Sequence, residues 1–438
     1  MHRDTEGYRT GRTRRAPLCP RTMKTRLKLG YLALGFILSA MPAAAQTEQS
    51  PPLYMEEAGV SPPPELVSRS AVVMDETTGT LVYYKNPDEE IPPASLTKLM
   101  TMHLALKEVA AGRASLDEIL SPVRESWAVN QPHGSSLMYL ANGQRVSLRE
   151  LLLGMAVFSG NDAAAAVALR FAPTIKDFVD MMNREAIALG LSKTHFVDPA
   201  GYWETNMTTA REFAEFCRTY IEDHPESLKE YHSVREFGYP KAENEAERYR
   251  EHPGTRIHRN NNTLLGKVEG VDGLKTGYIP EAGYNIALTA ERGGSRFIAV
   301  ILGAPSRWGG DKIRDEDGRK LIEWVFENYK TIKLDLEIQE PVRIWKGKEN
   351  YVSLEWGDSL DFTETAARGE NLSWHSEITE PIIAPVPVHS HIGDVVVYDN
   401  QGELRRIPLL SAVEIEKGGF FKRLFDSIRL FFMQFAKR

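Results

Sequence analysis

Cysteine is almost missing from this chain: Cys19 and Cys217 are the only two among 438 residues. Cys19 falls in an N-terminal leader, so the exported chain keeps one thiol, forms no internal disulfide and must stand on its apolar core. Cys217 sits in an apolar helical pattern with Phe213, Phe216 and Tyr220, which gives it a packing role. His-Glu-x-x-His and Cys-x-x-Cys are both absent, which argues against a zinc peptidase. No internal repeat is evident. Hydrophobic content of 42% with 26% charged residues describes a soluble protein and excludes a multi-span membrane protein. An excess of positive charge is missing too. The formal net charge is −7, and residues 1–45 hold nine Lys/Arg against two Asp/Glu, so the remainder stands at −14. That argues against nucleic acid as a partner.

What is present begins with an address. Lys24, Arg26 and Lys28 precede an apolar run from Leu29 to Met41, and Ala43-Ala44-Ala45 follows. This reads as a secretory signal peptide over 1–45, with Met23 where such a peptide begins and a run too short to span a bilayer. Residues 46–64, rich in Pro, Gln and Glu, read as a linker. The length left over calls for two folded units.

The first folded pattern is a hairpin: Ser70 to Asp75, a turn containing Gly79, then Leu81 to Tyr84. A helix is expected over 95–111, stopped by Gly112. Ser147 and Glu150 form a capping box that opens a second helix, and Thr209 and Glu212 another that runs to about Tyr220. Between them, helices are expected at about 162–171 and 175–189. Asn285 to Ala290 and Arg296 to Leu302 read as strands joined antiparallel through Arg292-Gly293-Gly294. A last helix covers about 315–329. Residues 331–417 lose helical periodicity and show short strands (Val342 to Trp345, Tyr351 to Leu354, Asp394 to Tyr398, Glu403 to Leu409), a small all-β domain. In 418–438, Phe420, Phe421, Leu424, Phe425, Ile428, Phe431, Phe432 and Phe435 recur at helical spacing among basic residues. A basic amphipathic helix with aromatic bulk is expected to lie in a membrane interface; packing on its own domain or a partner is the alternative.

Three short motifs carry the chemistry. Pro93-Ala94-Ser95-Leu96-Thr97-Lys98 contains Ser-x-x-Lys, Ser159-Gly160-Asn161 is Ser-x-Asn, and Lys275-Thr276-Gly277 is Lys-Thr-Gly. Ser95 and Lys98, three apart at a helix start, share one face, and the helix start favours a developing alkoxide at Ser95. A serine hydroxyl needs a neighbouring base to become a nucleophile. Lys98 can be that base only if its pKa falls several units from ~10.4, through desolvation or a nearby cation. Lys275 is the candidate cation if its strand lies beside Ser95. A purely structural account would make Ser95 and Ser159 helix caps and Lys275 to Gly277 an ordinary strand end.

The motif set resembles the serine β-lactamase and penicillin-binding protein superfamily. More closely, the chain resembles the D-alanyl-D-alanine carboxypeptidases, the low-molecular-mass penicillin-binding proteins. The likeness rests also on Gly270 to Tyr278 followed by Glu281 to Asn285, on His195 to Gly201, on Asn261 to Leu265, and on Glu416 to Phe421. It spans about 65–438. It implies an α/β (α+β) catalytic domain over 65–330, with a mainly antiparallel sheet, a helical cluster and the site between them. A β-sandwich-like domain over 331–417 and an anchoring helix over 418–438 would follow. Ser95 is then the acylated nucleophile and Lys98 its base, while Ser159 and Asn161 relay protons and hold the substrate amide. Lys275, Thr276 and Arg314 meet the terminal carboxylate. The N–H groups of Ser95 and Tyr278 form the oxyanion hole beside Gly277. Tyr278 stands where relatives often carry His or Thr, and Asp198 where they often carry Asn.

The resemblance implies removal of the terminal D-alanine from peptidoglycan stem peptides, acylation by β-lactams, and no cofactor or metal. It places the enzyme on the periplasmic side of the cytoplasmic membrane. A β-lactamase is the nearest rival, but its Glu-x-x-Leu-Asn segment is absent. A D-alanyl-D-alanine endopeptidase usually lacks the β domain and tail. A non-catalytic scaffold has no need to keep Ser95, Lys98, Asn161 and Lys275 together.

Overall fold

The computed structural model describes residues 53–54, 59–338 and 341–436. The leader read over 1–45 and most of the 46–64 linker lie outside the described residues.

Six strands form the central sheet: β1 (Leu53–Tyr54), β2 (Ser70–Asp75), β3 (Leu81–Lys85), β4 (Val271–Ile279), β5 (Gly283–Arg292) and β6 (Ser295–Ala304). Their spatial order is β1-β3-β2-β6-β5-β4, every pairing antiparallel. Side chains alternate along a strand, so each strand serves both faces. Val72 and Met74 of β2, with Ile298, Val300 and Leu302 of β6, join the core of a helical cluster on one face. Ala71 and Val73, with Phe297, Ala299 and Ile301, pack on the other side with Leu321, Ile322 and Val325 of helix α6 (Gly310–Asn328). Burial on both faces explains why β6 reads as an unbroken apolar run.

The helical cluster is inserted between β3 and β4. It comprises α1 (Lys98–Ala110), α2 (Leu148–Leu153), α3 (Asn161–Phe171), α4 (Ile175–Ala188) and α5 (Ala210–Asp223). Cys217 is buried in α5 within this core. Ser147 caps α2 in a complete capping box with Glu150. At Thr209 only half of the expected box forms: Thr209 Oγ1 accepts from Glu212 N, while the Glu212 carboxylate turns to Lys193 N and Thr194 Oγ1. The expected 95–111 helix also divides, into a tight 3₁₀ turn over Ala94–Thr97 and then α1. Helix α6 starts earlier than expected, at Gly310, with no side-chain cap to announce it.

From Tyr329 onward the chain is β-rich. Tyr329–Lys333, which straddles the expected 330/331 boundary, pairs with Asp361–Thr365. Thr331 and Thr363 both donate to the buried Asp75 carboxylate at 2.8 Å, tying this ribbon to β2. A four-stranded sheet orders Leu354–Trp356, Gly402–Ser411, His391–Asp399 and Ser373–Ile378, and a three-stranded one is centred on Val342–Trp345. Ile344, Val352, Val386, Ile392 and Ile415 make one small core here, and Val395, Val397, Ile407 and Leu409 another. Helix α7 (Phe420–Ala436) follows. Its buried Asp426 accepts from Lys346 N at 2.7 Å, which docks it on the β domain. Phe420, Phe421, Phe425, Phe431 and Phe432 stay exposed. No helix among the described residues is long and apolar enough to cross a membrane.

Candidate active site

The site lies where β4, at one edge of the sheet, meets the 3₁₀ turn that carries Ser95 and the start of α3. Ser95 is not a helix cap: it lies inside the turn, and Ala94 before it takes φ 51°, a left-handed conformation that costs a non-glycine residue energy. Ser159 does not cap α3; it closes the π-helical turn Gly154–Phe158 before it. Gly160 is the N-cap of α3, and Ser159 itself is left-handed at φ 57°.

Lys98 is wholly buried and begins α1. Its Nζ reaches Ser95 Oγ at 2.9 Å, Asn161 Oδ1 at 2.8 Å and the Ala200 carbonyl at 2.7 Å. Burial pushes its pKa down to about 7, against an upward pull from Asp198 and Asp162. Desolvation, rather than the cation of Lys275, is therefore what lowers it. Lys275 is also buried, and donates to Ser159 Oγ and Thr276 O, each at 3.0 Å. Its pKa is held well below the usual lysine range by burial first, then by the charges of Lys98 and Arg314. Two amines with depressed basicity thus flank two serine hydroxyls. A neutral amine beside a hydroxyl can take its proton, which is what acyl transfer to serine requires.

Other groups hold these in place. Asn161 Nδ2 donates to Ser135 Oγ at 3.0 Å, bringing the loop before Met138 over the site. Asp162, buried at the start of α3, accepts from Met138 N at 2.8 Å and Leu140 N at 2.9 Å and so fixes that loop. Asp198 gathers the backbone N–H groups of Ala200, Gly201, Tyr202 and Trp203, and Asn206 Nδ2, around its carboxylate. The loop so organised presents Ala200 O to Lys98. A Cβ on Gly277 would stand 2.7 Å from Pro93 O and 3.1 Å from Ser95 N, so only glycine lets β4 approach the nucleophile's turn this closely.

A cleft of about 780 Å³ opens over these groups, lined by Ser95, Ser159, Thr276, Gly277, Tyr278 and Arg314 among others. Lys98, Asn161 and Lys275 lie buried beneath it. Tyr278 is half-exposed and stacks on Tyr284, ring centroids 4.2 Å apart. Arg314 is buried; its Nε and Nη2 bond Asp315 at 2.8 and 2.6 Å, and Nη2 also reaches Asn261 O at 3.3 Å. Trp308 lines the rim and is fully exposed.

Motif reading brings together all the residues it singled out, but it misses Ser135, the Ala200 carbonyl, the holding role of Asp198, and Trp308. The His195 to Gly201 segment was visible as a signature without a chemical part to play.

Fold and site together define a serine acyl-transfer enzyme with a Ser-x-x-Lys nucleophile. Comparison with known proteins refines this. Residues 56–306 match the family described as D-alanyl-D-alanine carboxypeptidase, and residues 326–417 match the domain described as penicillin-binding protein 5, C-terminal domain. The chain is 33% identical over 413 residues to the D-alanyl-D-alanine carboxypeptidase DacD of Escherichia coli, covering 92% of this chain and 98% of that protein. The crystal structure of penicillin-binding protein 5 from Haemophilus influenzae superposes with a TM-score of 0.68 at 28% identity, over 82% of this chain and all of the other. Penicillin-binding protein D2 of Listeria monocytogenes, solved in its cefotaxime-bound form, superposes with a TM-score of 0.52 at 33% identity, over 61% of this chain and all of that one. The chain belongs to the D-alanyl-D-alanine carboxypeptidase family, the low-molecular-mass penicillin-binding proteins.

Proposed function

We propose that this enzyme removes the terminal D-alanine from peptidoglycan stem peptides through an acyl-Ser95 intermediate, and that β-lactams acylate the same serine. The observation that carries the reading is the buried Lys98 Nζ, placed 2.9 Å from Ser95 Oγ and held near neutrality in its proton affinity. In this reading Lys98 takes the Ser95 proton as the hydroxyl attacks the D-Ala-D-Ala carbonyl. The Ser95 and Tyr278 N–H groups receive the oxyanion; the close passage of β4 against Ser95 N supports that pairing. Ser159, bonded to Lys275, returns a proton to the departing amine. The Thr276 hydroxyl and the Arg314 guanidinium line the end of the cleft that would meet a terminal carboxylate, with Lys275 beneath them. Asn161 steadies the substrate amide. Water then completes hydrolysis of the ester.

Carboxypeptidase rather than endopeptidase action is favoured by the relatives named carboxypeptidases, which match over nearly their whole length, C-terminal β domain included. The test is D-alanine release from a peptide ending in D-Ala-D-Ala, set against the Ser95→Ala variant. Release that the variant abolishes establishes reaction and nucleophile together. Penicillin labelling without release points instead to cross-linked peptides as substrates.

The same reading places the enzyme outside the cytoplasmic membrane, delivered by the 1–45 leader and held at the lipid surface by α7. The exposed phenylalanines of α7 support this. Unchanged membrane fractionation after deletion of residues 418–438 would sink it.

A further inference from the structure

Away from the cleft, α1, α4 and α5 bring titratable side chains together in a way the peptidase chemistry does not use. His103, on α1, is fully buried, with Phe216 and Tyr220 rings packed around its imidazole. Its Nε2 faces Glu185 Oε1 at 3.1 Å, and its Nδ1 faces His224 Nε2 at 3.0 Å. His224 follows the end of α5 and is itself buried, while its neighbour Asp223 is exposed. The metal-binding atoms of His103, Asp223 and His224 all lie within 4.8 Å of one another. None of these residues lines the catalytic cleft.

We propose that His103 Nδ1, His224 Nε2 and the Asp223 carboxylate form a binding site for a divalent transition metal of the zinc class.

The geometry follows from who holds which proton. Glu185 Oε1 faces both His103 Nε2 and Lys107 Nζ. It fixes the His103 proton on Nε2, as carboxylates do behind metal-binding histidines, and turns Nδ1 toward His224. Two nitrogens face each other there with one proton between them. A metal ion takes the place of that proton, which moves to Nδ1 of His224 and leaves Nε2 with a free lone pair. Nitrogen ligands at about 2.0–2.1 Å in a tetrahedral site lie about 3.3 Å apart, so metal binding needs the two rings to part slightly and to swing until both lone pairs converge on the ion. Two imidazoles and one carboxylate leave a position open to water on the Asp223 side, the donor set and coordination expected for zinc. Lys107, which pairs with Glu185 at 2.6 Å, is a nearby cation that opposes the ion.

The test is Zn²⁺ titration of the full chain by calorimetry, with Co²⁺ absorption as a report on coordination. One bound ion per chain is expected. His224→Ala should abolish that site, and Asp223→Asn, on the surface and without risk to the fold, should weaken it. Glu185→Gln is expected to lower affinity about 10- to 100-fold. Penicillin labelling confirms that each variant is folded. No binding by the unaltered chain, or binding equal in Asp223→Asn and His224→Ala, overturns the proposal.

Discussion

The backbone carbonyl of Ala200 accepts a hydrogen bond from Lys98 Nζ at 2.7 Å, so a loop more than a hundred residues away in sequence closes the environment of the catalytic base. Asp198 holds that loop by accepting from Ala200 N and Gly201 N at 2.7 Å each, and its charge raises the Lys98 pKa. Asp198→Asn removes the charge and offers an amide N–H₂ where three donors, Tyr202 N, Trp203 N and Asn206 Nδ2, now find an acceptor. We expect a stability loss of about 1–3 kcal/mol for the unmet donors. The acid limb of acylation moves to lower pH. A limb that stays in place would separate Asp198 from the base.

For Lys98 the sign is fixed by its depressed pKa. The amine that accepts the Ser95 proton exists above about pH 7 and is lost as pH falls through that value. Penicillin acylation of Ser95 is therefore expected to drop along an acid limb centred near 7. Lys98→Arg keeps a charge that cannot be shed, and acylation should fall by about 10²–10⁴ at every pH. A limb that persists in this variant with only its height reduced would assign the ionisation elsewhere.

Gly201 supports the nucleophile's turn by having no side chain. A Cβ there would stand 1.8 Å from Ala94 O and 2.7 Å from Thr97 Oγ1, and φ is +74°. Gly201→Ala should cost more than the about 1–3 kcal/mol of backbone strain alone. By displacing the Ser95 turn it should slow acylation about a hundredfold. Thermal denaturation and penicillin labelling measure the two effects; normal labelling would show that the turn tolerates the shift.

Trp308 presents a bare indole at the cleft rim. Trp308→Ala is expected to change stability by less than about 0.5 kcal/mol, as surface substitutions do. If the ring packs on the incoming peptide, KM rises roughly fivefold, about 1 kcal/mol of lost contact, while kcat holds. Unchanged kinetics would leave Trp308 without a part in binding.

Ser95, Lys98, Ser159, Asn161 and Lys275 were legible because their chemistry is written in side chains at fixed short spacings. Ala200 was not, since its contribution is a carbonyl that any residue could supply. Asp198 stood out as unusual, but its many backbone partners are a property of the folded loop. Among the elements, β2, β5 and β6 announced themselves by apolar runs between turns. Ser373–Ile378 did not, because most of its side chains are exposed and no alternation marks it. The left-handed Ala94 and Ser159 were equally hidden: nothing local favours that conformation, and the surrounding packing imposes it.

Cys217 has a practical consequence. Outside residues 1–45 it is the chain's lone thiol, sealed inside α5, with burial pushing its pKa up. Reagents that need a thiolate meet it only when the catalytic domain opens. The alkylation rate of a chain lacking residues 1–45 thus reads the opening equilibrium of the main core with no engineered label, and oxidising surroundings leave the closed enzyme chemically unmarked at this position.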